Sequence, residues 1–505
     1  MRRLLDLPLI VILTGIGSLA MFVPAGYAMW TGDFRLAHTF GLSGVLCTFV
    51  TAILAIAVLN YQPRSLARSH LAALVAAYTL LPLILAVPFE QAVRSTTYLN
   101  AWFEMVSSIT TTGATLFPAD RLPPAVHLWR ALVGWLGGFL IWVAAIAILA
   151  PMNLGGFEVV SPMRMGSATR GGRRGRIGMG DPRDRLLRYS VQLLPIYTGL
   201  TAALWLGLVM LGETPLVAVC HAMSTLSTSG ISPVGGMEYA KAGLAGEFLI
   251  FIFFAFAISR VTFSGDFTPY GARSLFEDPE ARIGLGLLIL VPSFLFLRHW
   301  VGAYEVDTVG ELPSATRALW GAAFSVLSFL STAGFVSAEW DVSSAWSGLQ
   351  TPGIVLLALG LIGGGVATTA GGVKLLRVYA LYKHSEREME RLIYPSSVGG
   401  SGKVARRIRT QGAYVAWIFF MLFALTLAVV AMLLATTGTE FDESMVMSVA
   451  ALSTTGPAAG VVLDHPVTYA ALNDPGKIIL AMAMALGRLE TLALLALFNP
   501  QFWRN

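Results

Sequence analysis

The sequence predicts an all-α integral membrane protein of about ten spans, in which four tandem helix–half-helix–helix repeats follow two extra N-terminal helices. Three observations carry that prediction. Of 505 residues, 55% are hydrophobic and only 12% charged, about half the charge of a soluble domain. The chain offers about ten apolar stretches near the roughly 20 residues a spanning helix needs. Four shorter, half-apolar segments each end in Thr-x-Gly.

The spans are expected at 8–30, 37–60, 70–92, 126–150, 189–211, 244–265, 283–304, 351–382, 411–436 and 475–499. The first follows Met1-Arg2-Arg3, but the apolar run from Leu7 to Trp30 exceeds the 7–15 residues of a signal-peptide core, so it reads as a span. The half-apolar segments 97–112, 214–229, 315–333 and 440–455 are too short to cross a bilayer about 30 Å thick and read as re-entrant half-helices. The expected units are therefore 1–65 (two extra helices), 66–160 (repeat 1), 161–188 (basic loop) and 189–270 (repeat 2). They continue with 271–383 (repeat 3, with a broken last helix), 384–410 (a second loop) and 411–505 (repeat 4).

Charge sets the orientation. Segments on the side of the N-terminus hold 22 of the 34 Lys and Arg residues, against 8 on the other side, which predicts both termini in the cytoplasm. The net charge of +5 is thus an orientation signal, and nucleic-acid binding is not expected. The Gly/Arg-rich stretch 164–188, with Arg170, Arg173, Arg174, Arg176, Arg183 and Arg185, reads first as positive-inside charge and second as a contact for a cytosolic partner or anionic lipid. Cys47 and Cys220 form no framework, and the seven histidines show no metal-ligand spacing.

The half-apolar segments agree in register. They end in Thr111-Thr112-Gly113, Thr228-Ser229-Gly230, Thr332-Ala333-Gly334 and Thr454-Thr455-Gly456, at intervals of 117, 104 and 122 residues. Packing between helices also favours Gly, Ser and Thr, but packing explains neither the register nor the fixed span–half-helix–span setting. A cation at membrane depth needs oxygens in place of its water shell, and rings of backbone carbonyls supply them in potassium channels. Glycine reaches backbone conformations closed to other residues, the threonine hydroxyl adds an oxygen, and each half-helix aims its partially negative end at the ion. The segments therefore predict a pseudo-four-fold, carbonyl-lined filter for a small cation. The ion would be the metal bound there, and no cofactor is expected.

Two features suggest a gate beneath it. Gly363, Gly364, Gly365, Gly371 and Gly372, with Thr368, Thr369 and Lys374, interrupt the eighth span. Five glycines in a helix interior would cost roughly 4–5 kcal/mol relative to alanine, so a broken helix is expected. Arg488 lies 13 residues into the tenth span, about 20 Å along a helix. It reads as facing the ion path rather than pairing with Glu490, since residues two apart do not face each other.

These residues resemble the Trk/Ktr/HKT superfamily of potassium transporters, in particular its TrkH/TrkG branch. The likeness runs from Phe103-Glu-Met-Val-Ser-Ser-Ile-Thr-Thr-Thr-Gly-Ala-Thr115 through Trp135-Leu-Gly-Gly138, His221–Gly230 and the stretch ending at Lys374 to Gly487-Arg-Leu-Glu490. The two extra helices fit that branch. The resemblance implies K⁺ uptake across a bacterial inner membrane, a homodimer with one pore per subunit, and a cytosolic TrkA-type ring that carries the regulatory nucleotide. Glycine in all four segments is the superfamily pattern for K⁺ preference. Ala367 and Ala370 depart from it where glycine is usual, and Arg260 stands where less charge is usual.

Three other readings compete. An Na⁺- or H⁺-coupled symporter, or a pore indifferent to Na⁺ and K⁺, fits the same frame. An alternating-access transporter of inverted halves fits four like-oriented repeats poorly. Gly41-Leu-Ser-Gly44 resembles a rhomboid protease motif, but Ser43 has no histidine base placed to serve it, so no enzyme is expected.

Overall fold

The computed structural model describes residues 7–59, 65–159, 182–259, 278–302, 312–394, 410–463 and 467–498. Arg260, Arg170, Arg173, Arg174 and Arg176 lie outside them. The described residues are helical, with no strand among them.

Helices α1 (Leu9–Trp30) and α2 (Phe34–Ala57) precede the repeats. Repeat 1 is α3 (Leu66–Val93), α4 (Tyr98–Ile109) and α5 (Pro124–Met152). Repeat 2 is α6 (Pro182–Met210), α7 (Pro215–Ser227) and α8 (Gly243–Phe254). Repeat 3 is α9 (Pro279–Gly302), α10 (Leu312–Leu330), α11 (Trp340–Ser347), α12 (Gly353–Ile362) and α13 (Leu375–Ile393). Repeat 4 is α14 (Thr410–Thr436), α15 (Phe441–Leu452), α16 (Asp474–Leu489) and α17 (Thr491–Phe498). Seven helices among the described residues are long and apolar enough to cross a membrane. The molecule is a multi-pass membrane protein.

Local chemistry starts the helices. Asp33 caps α2 by accepting from the Leu36 amide at 3.0 Å, Thr97 caps α4 through Asn100, and Asn473 caps α16 through Gly476 at 2.9 Å. The outer helices turn apolar side chains outward. Phe49 is 64% exposed, Ile56 70% and Met210 85%, which suits a lipid solvent and no aqueous one. The half-helices are the reverse: residues 103–109 of α4 and 446–452 of α15 are all buried.

Packing closes the repeats into a ring. The second span of each repeat packs on its own half-helix and on that of the next repeat. Thus α5 lies against α4 and α7, α8 against α7 and α10, α12 against α10 and α15, and α16 against α15 and α4. Helices α1 and α2 stand outside repeat 1, where α1 packs on α3 and α5.

Three spans are not continuous helices over their whole expected ranges within the described residues. The sixth is a helix only to Ala257 within the described residues. The eighth breaks, as expected, between Ile362 and Leu375. The tenth, expected continuous, breaks at Glu490, whose φ of 62° is left-handed. The third half-helix, α10, runs to 19 residues, and the eight-residue α11 had no clear signal in composition.

Candidate functional site

The four Thr-x-Gly segments share one backbone device. Each half-helix ends in a Schellman motif, in which an amide five residues on reaches back to the last turn. The amides of Thr112, Ser229, Ala333 and Thr455 bond to the carbonyls of Ser107, Ser224, Ser328 and Ala450 at 2.9, 2.9, 3.0 and 2.8 Å. The left-handed residue this motif requires is usually glycine. Here it is threonine all four times, with φ of 55° at Thr111, 53° at Thr228, 62° at Thr332 and 55° at Thr454. A β-branched residue in that region is an outlier and costs about 1–3 kcal/mol. Four such outliers recur at equivalent positions, each placing a hydroxyl where a glycine would have been easier.

Left-handed backbone resumes at Gly113, Gly230 and Gly334, with φ of 76°, 65° and 74°. The residue between is not left-handed, so hand alternates along each of these three segments. Gly456 differs by opening a 3₁₀ turn.

The segments meet head to neighbour. A Cβ on Gly113 would overlap the Ser229 carbonyl oxygen, and one on Gly230 would overlap that of Ala333. A Cβ on Gly334 would come within 3.1 Å of Thr455 Cγ2, and one on Gly456 would overlap the Ala114 amide. Each glycine is therefore backed by the following repeat, and the fourth by the first. All four glycines line one cavity of about 810 Å³, whose walls also carry the exposed carboxylates Glu238 and Asp341.

Buried carboxylates brace the chain just beyond the glycines. Glu104 of α4 accepts from the Leu116 amide at 2.6 Å and from Thr115 Oγ1 at 2.9 Å, and pairs with Arg130 Nε of α5 at 2.9 Å. Glu247 of α8, in repeat 2, braces repeat 3: it accepts from the Ala338 amide at 2.6 Å, Ser337 Oγ at 2.7 Å and Trp320 Nε1 at 2.9 Å. Sequence reasoning missed both carboxylates and gave no site role to Arg130, which is 3% exposed. The signal available was a glutamate inside an apolar half-helix.

On the other face of the threonines sits the break 363–374. It is anchored to three repeats. Thr369 Oγ1 donates to the Leu226 carbonyl at 3.0 Å, and the Gly371 amide donates to Thr332 Oγ1 at 2.7 Å. A Cβ on Gly371 would overlap Thr454 Oγ1. The Val366 amide is held by Glu280 at 2.8 Å and the Gly365 amide by the Ala257 carbonyl at 3.0 Å. Lys374, left-handed at φ 86°, turns its ammonium back to the Ala370 carbonyl.

Arg488 is 3% exposed and donates from Nη2 to the Thr369 carbonyl at 2.7 Å. It borders a cavity of about 20 Å³ together with Thr368, Gly371, Gly372 and Lys374. Glu490 does not pair with it. Glu490 accepts instead from the fully buried Arg377 of α13 at 2.6 Å, and that guanidinium lies 3.7 Å over the Phe419 ring. The Arg377–Glu490 pair joins the two broken spans; reading along single helices could not reveal it.

The chain resembles proteins of known name over most of its length. Residues 202–504 match the family model TrkH, described as cation transport protein. The Trk system potassium uptake protein TrkH of Salmonella typhimurium is 32% identical over 434 residues, which cover 85% of this chain and 84% of that one. TrkG of Escherichia coli is 29% identical over 431 residues, with 81% and 80% covered. The crystal structure of the potassium transporter TrkH from Vibrio parahaemolyticus superposes over the whole of both chains with a TM-score of 0.80 at 25% identity. Fold, sequence model and relatives agree: the chain belongs to the TrkH family of cation transport proteins.

Proposed function

We propose that the chain carries K⁺ into a bacterial cell across the inner membrane, through a filter formed by Thr111–Gly113, Thr228–Gly230, Thr332–Gly334 and Thr454–Gly456. The observation that carries this reading is the recurrence of a left-handed threonine at the end of all four half-helices, beneath a ring in which each glycine abuts the next repeat. Alternating backbone hand sets successive amides to one side of a strand and leaves carbonyls for the other. Stripping water from K⁺ is offset only if several such oxygens replace it. Thr111 Oγ1 and Thr454 Oγ1 are buried without a hydrogen-bond partner among the described residues, so they are available to an ion. The carboxylates of Glu238 and Asp341 would concentrate cations in the outer cavity. The relatives named for potassium uptake support the choice of K⁺ over Na⁺.

In the same reading the break 363–374, fixed to Arg488, is the gate. It lies against the threonines and would close the path beneath them, with a buried positive charge as the electrostatic part of the barrier. The chain is read as a homodimer with both termini cytoplasmic, opened by a cytosolic nucleotide-binding ring, in keeping with relatives named as parts of a Trk system.

The test is Rb⁺ uptake by the purified chain in liposomes, with Na⁺ as competitor and with or without the ring. Saturable uptake that Na⁺ inhibits weakly is expected. Equal passage of Na⁺ would remove the K⁺ assignment, and no uptake even with the ring would remove the pore.

A further inference from the structure

A second cavity, of about 320 Å³, lies outside the ring between α1, α3, α5 and α6. That volume is within the range of ligand sites. It has the build of an amphiphile. Its polar side chains, His70, Arg183, Asp184 and Ser190, all lie within the first nine residues of α3 or α6. These two helices begin on the same side of the molecule, since two crossings precede α3 and four precede α6. The rest of the lining is apolar apart from Gly17, and it runs along α5 from Val143 to Val133 and down to Ile109 at the end of α4. Ten residues of helix span about 15 Å, which is one leaflet of a hydrocarbon core about 30 Å thick.

Charge at the mouth favours an anion. Arg183, Arg185 and Arg188 stand in the first two turns of α6 against the single Asp184, and the exposed Arg68 begins α3 beside His70. A basic cluster at this depth is what attracts acidic headgroups.

We propose that this groove binds one anionic phospholipid of the arginine-side leaflet, its acyl chain along Leu13, Leu140 and Val133 and its headgroup at Arg183. The site gives α1 a role, because α1 supplies one wall. It also reaches the ion path. Ile109 ends the first half-helix, two residues before the left-handed Thr111, and its carbonyl is held so close to Gly137 of α5 that a Cβ there would overlap it. An acyl chain in the groove packs on Ile109 from the other side and steadies this helix end.

The experiment is native mass spectrometry of the full-length chain, stripped of lipid and then mixed with phosphatidylglycerol and phosphatidylcholine of identical acyl chains. The wild type is expected to retain one phosphatidylglycerol at activation energies that remove every phosphatidylcholine. Leu140→Trp fills the groove and should lose that adduct. Arg183→Gln leaves the apolar walls intact and should retain the two lipids equally, so it decides the matter even if the tryptophan variant does not fold. The proposal is overturned if Arg183→Gln keeps the preference, if wild type retains both headgroups alike, or if Leu140→Trp lowers the dimer fraction and leaves the lipid adduct unchanged.

Discussion

The amide of Gly456 donates to the carbonyl of Thr112 at 2.7 Å, and this bond ties the fourth Thr-x-Gly segment to the first. The two residues are 344 apart in sequence, so the ring closes only when the whole chain is in place. The glycines are close-approach sites as well as flexible ones, and the kind of atom behind each differs.

That difference orders the effects of substitution. Gly113→Ser and Gly230→Ser push a Cβ into a neighbouring backbone carbonyl, whereas Gly334→Ser meets side-chain atoms of Thr455 and Pro457 at 3.1–3.3 Å. All three also lose about 1–2 kcal/mol to the left-handed backbone. If that energy is relieved by displacing the segment, K⁺ over Na⁺ selectivity should fall about tenfold at positions 113 and 230, and less at 334. Competition of Rb⁺ uptake by Na⁺ measures the order; equal loss at all three would contradict it.

Glu104 and Arg130 are both fully enclosed, at 0% and 4% side-chain exposure. Breaking such a pair costs about 3–5 kcal/mol because the remaining charge is stranded. Glu104→Gln should lower the midpoint of thermal unfolding in detergent markedly. Adding Arg130→Met should return part of it, since the double variant leaves no buried charge.

Arg488 and Thr369 can be separated by test. Arg488→Gln removes the long donor that holds the Thr369 carbonyl, so the break 363–374 is freed and Rb⁺ uptake without the ring should rise. Thr369→Val removes only the bond to Leu226 at 3.0 Å, worth about 0.5–1.5 kcal/mol, and should raise it less. Unchanged uptake in both variants would argue against a gate here.

Ala367 is left-handed at φ 58°. Glycine there would save about 1–2 kcal/mol of steric cost and lose roughly 0.5–1 kcal/mol to chain entropy. Ala367→Gly should therefore be neutral or mildly stabilising. Gly372→Ala is the contrasting case, since it is left-handed at 74° and its Cβ would lie 2.7 Å from Gly363 Cα. It should fold poorly or release the loop. Thermal midpoints of the pair decide between strain and tolerance as the reason alanine stands at 367.

Much of the architecture was legible because lipid imposes a length and a polarity on each span, and because a repeated Thr-x-Gly carries its own register. The break near Gly363 announced itself by glycine content. What stayed hidden depended on contacts between repeats. The bond from Glu104 to Leu116 and the pairing of Arg377 with Glu490 join residues whose separation follows no helical period. The second break, at Glu490, carries no glycine and no proline; its left-handed backbone is visible only in three dimensions. Arg488 was noticed as a charge in an apolar run, but its partner is a backbone carbonyl, which no sequence pattern displays.

The order of backing around the ring has an evolutionary consequence. In a tetramer of identical subunits every substitution is imposed four times at once, so a change in ion preference is all or nothing. Here a mutation alters one quadrant and leaves three, and the quadrants are already unequal, with threonine, serine, alanine and threonine at the middle position and one glycine of different backbone hand. If the ring is the proposed filter, preference among cations can drift in quarter steps while the site still conducts.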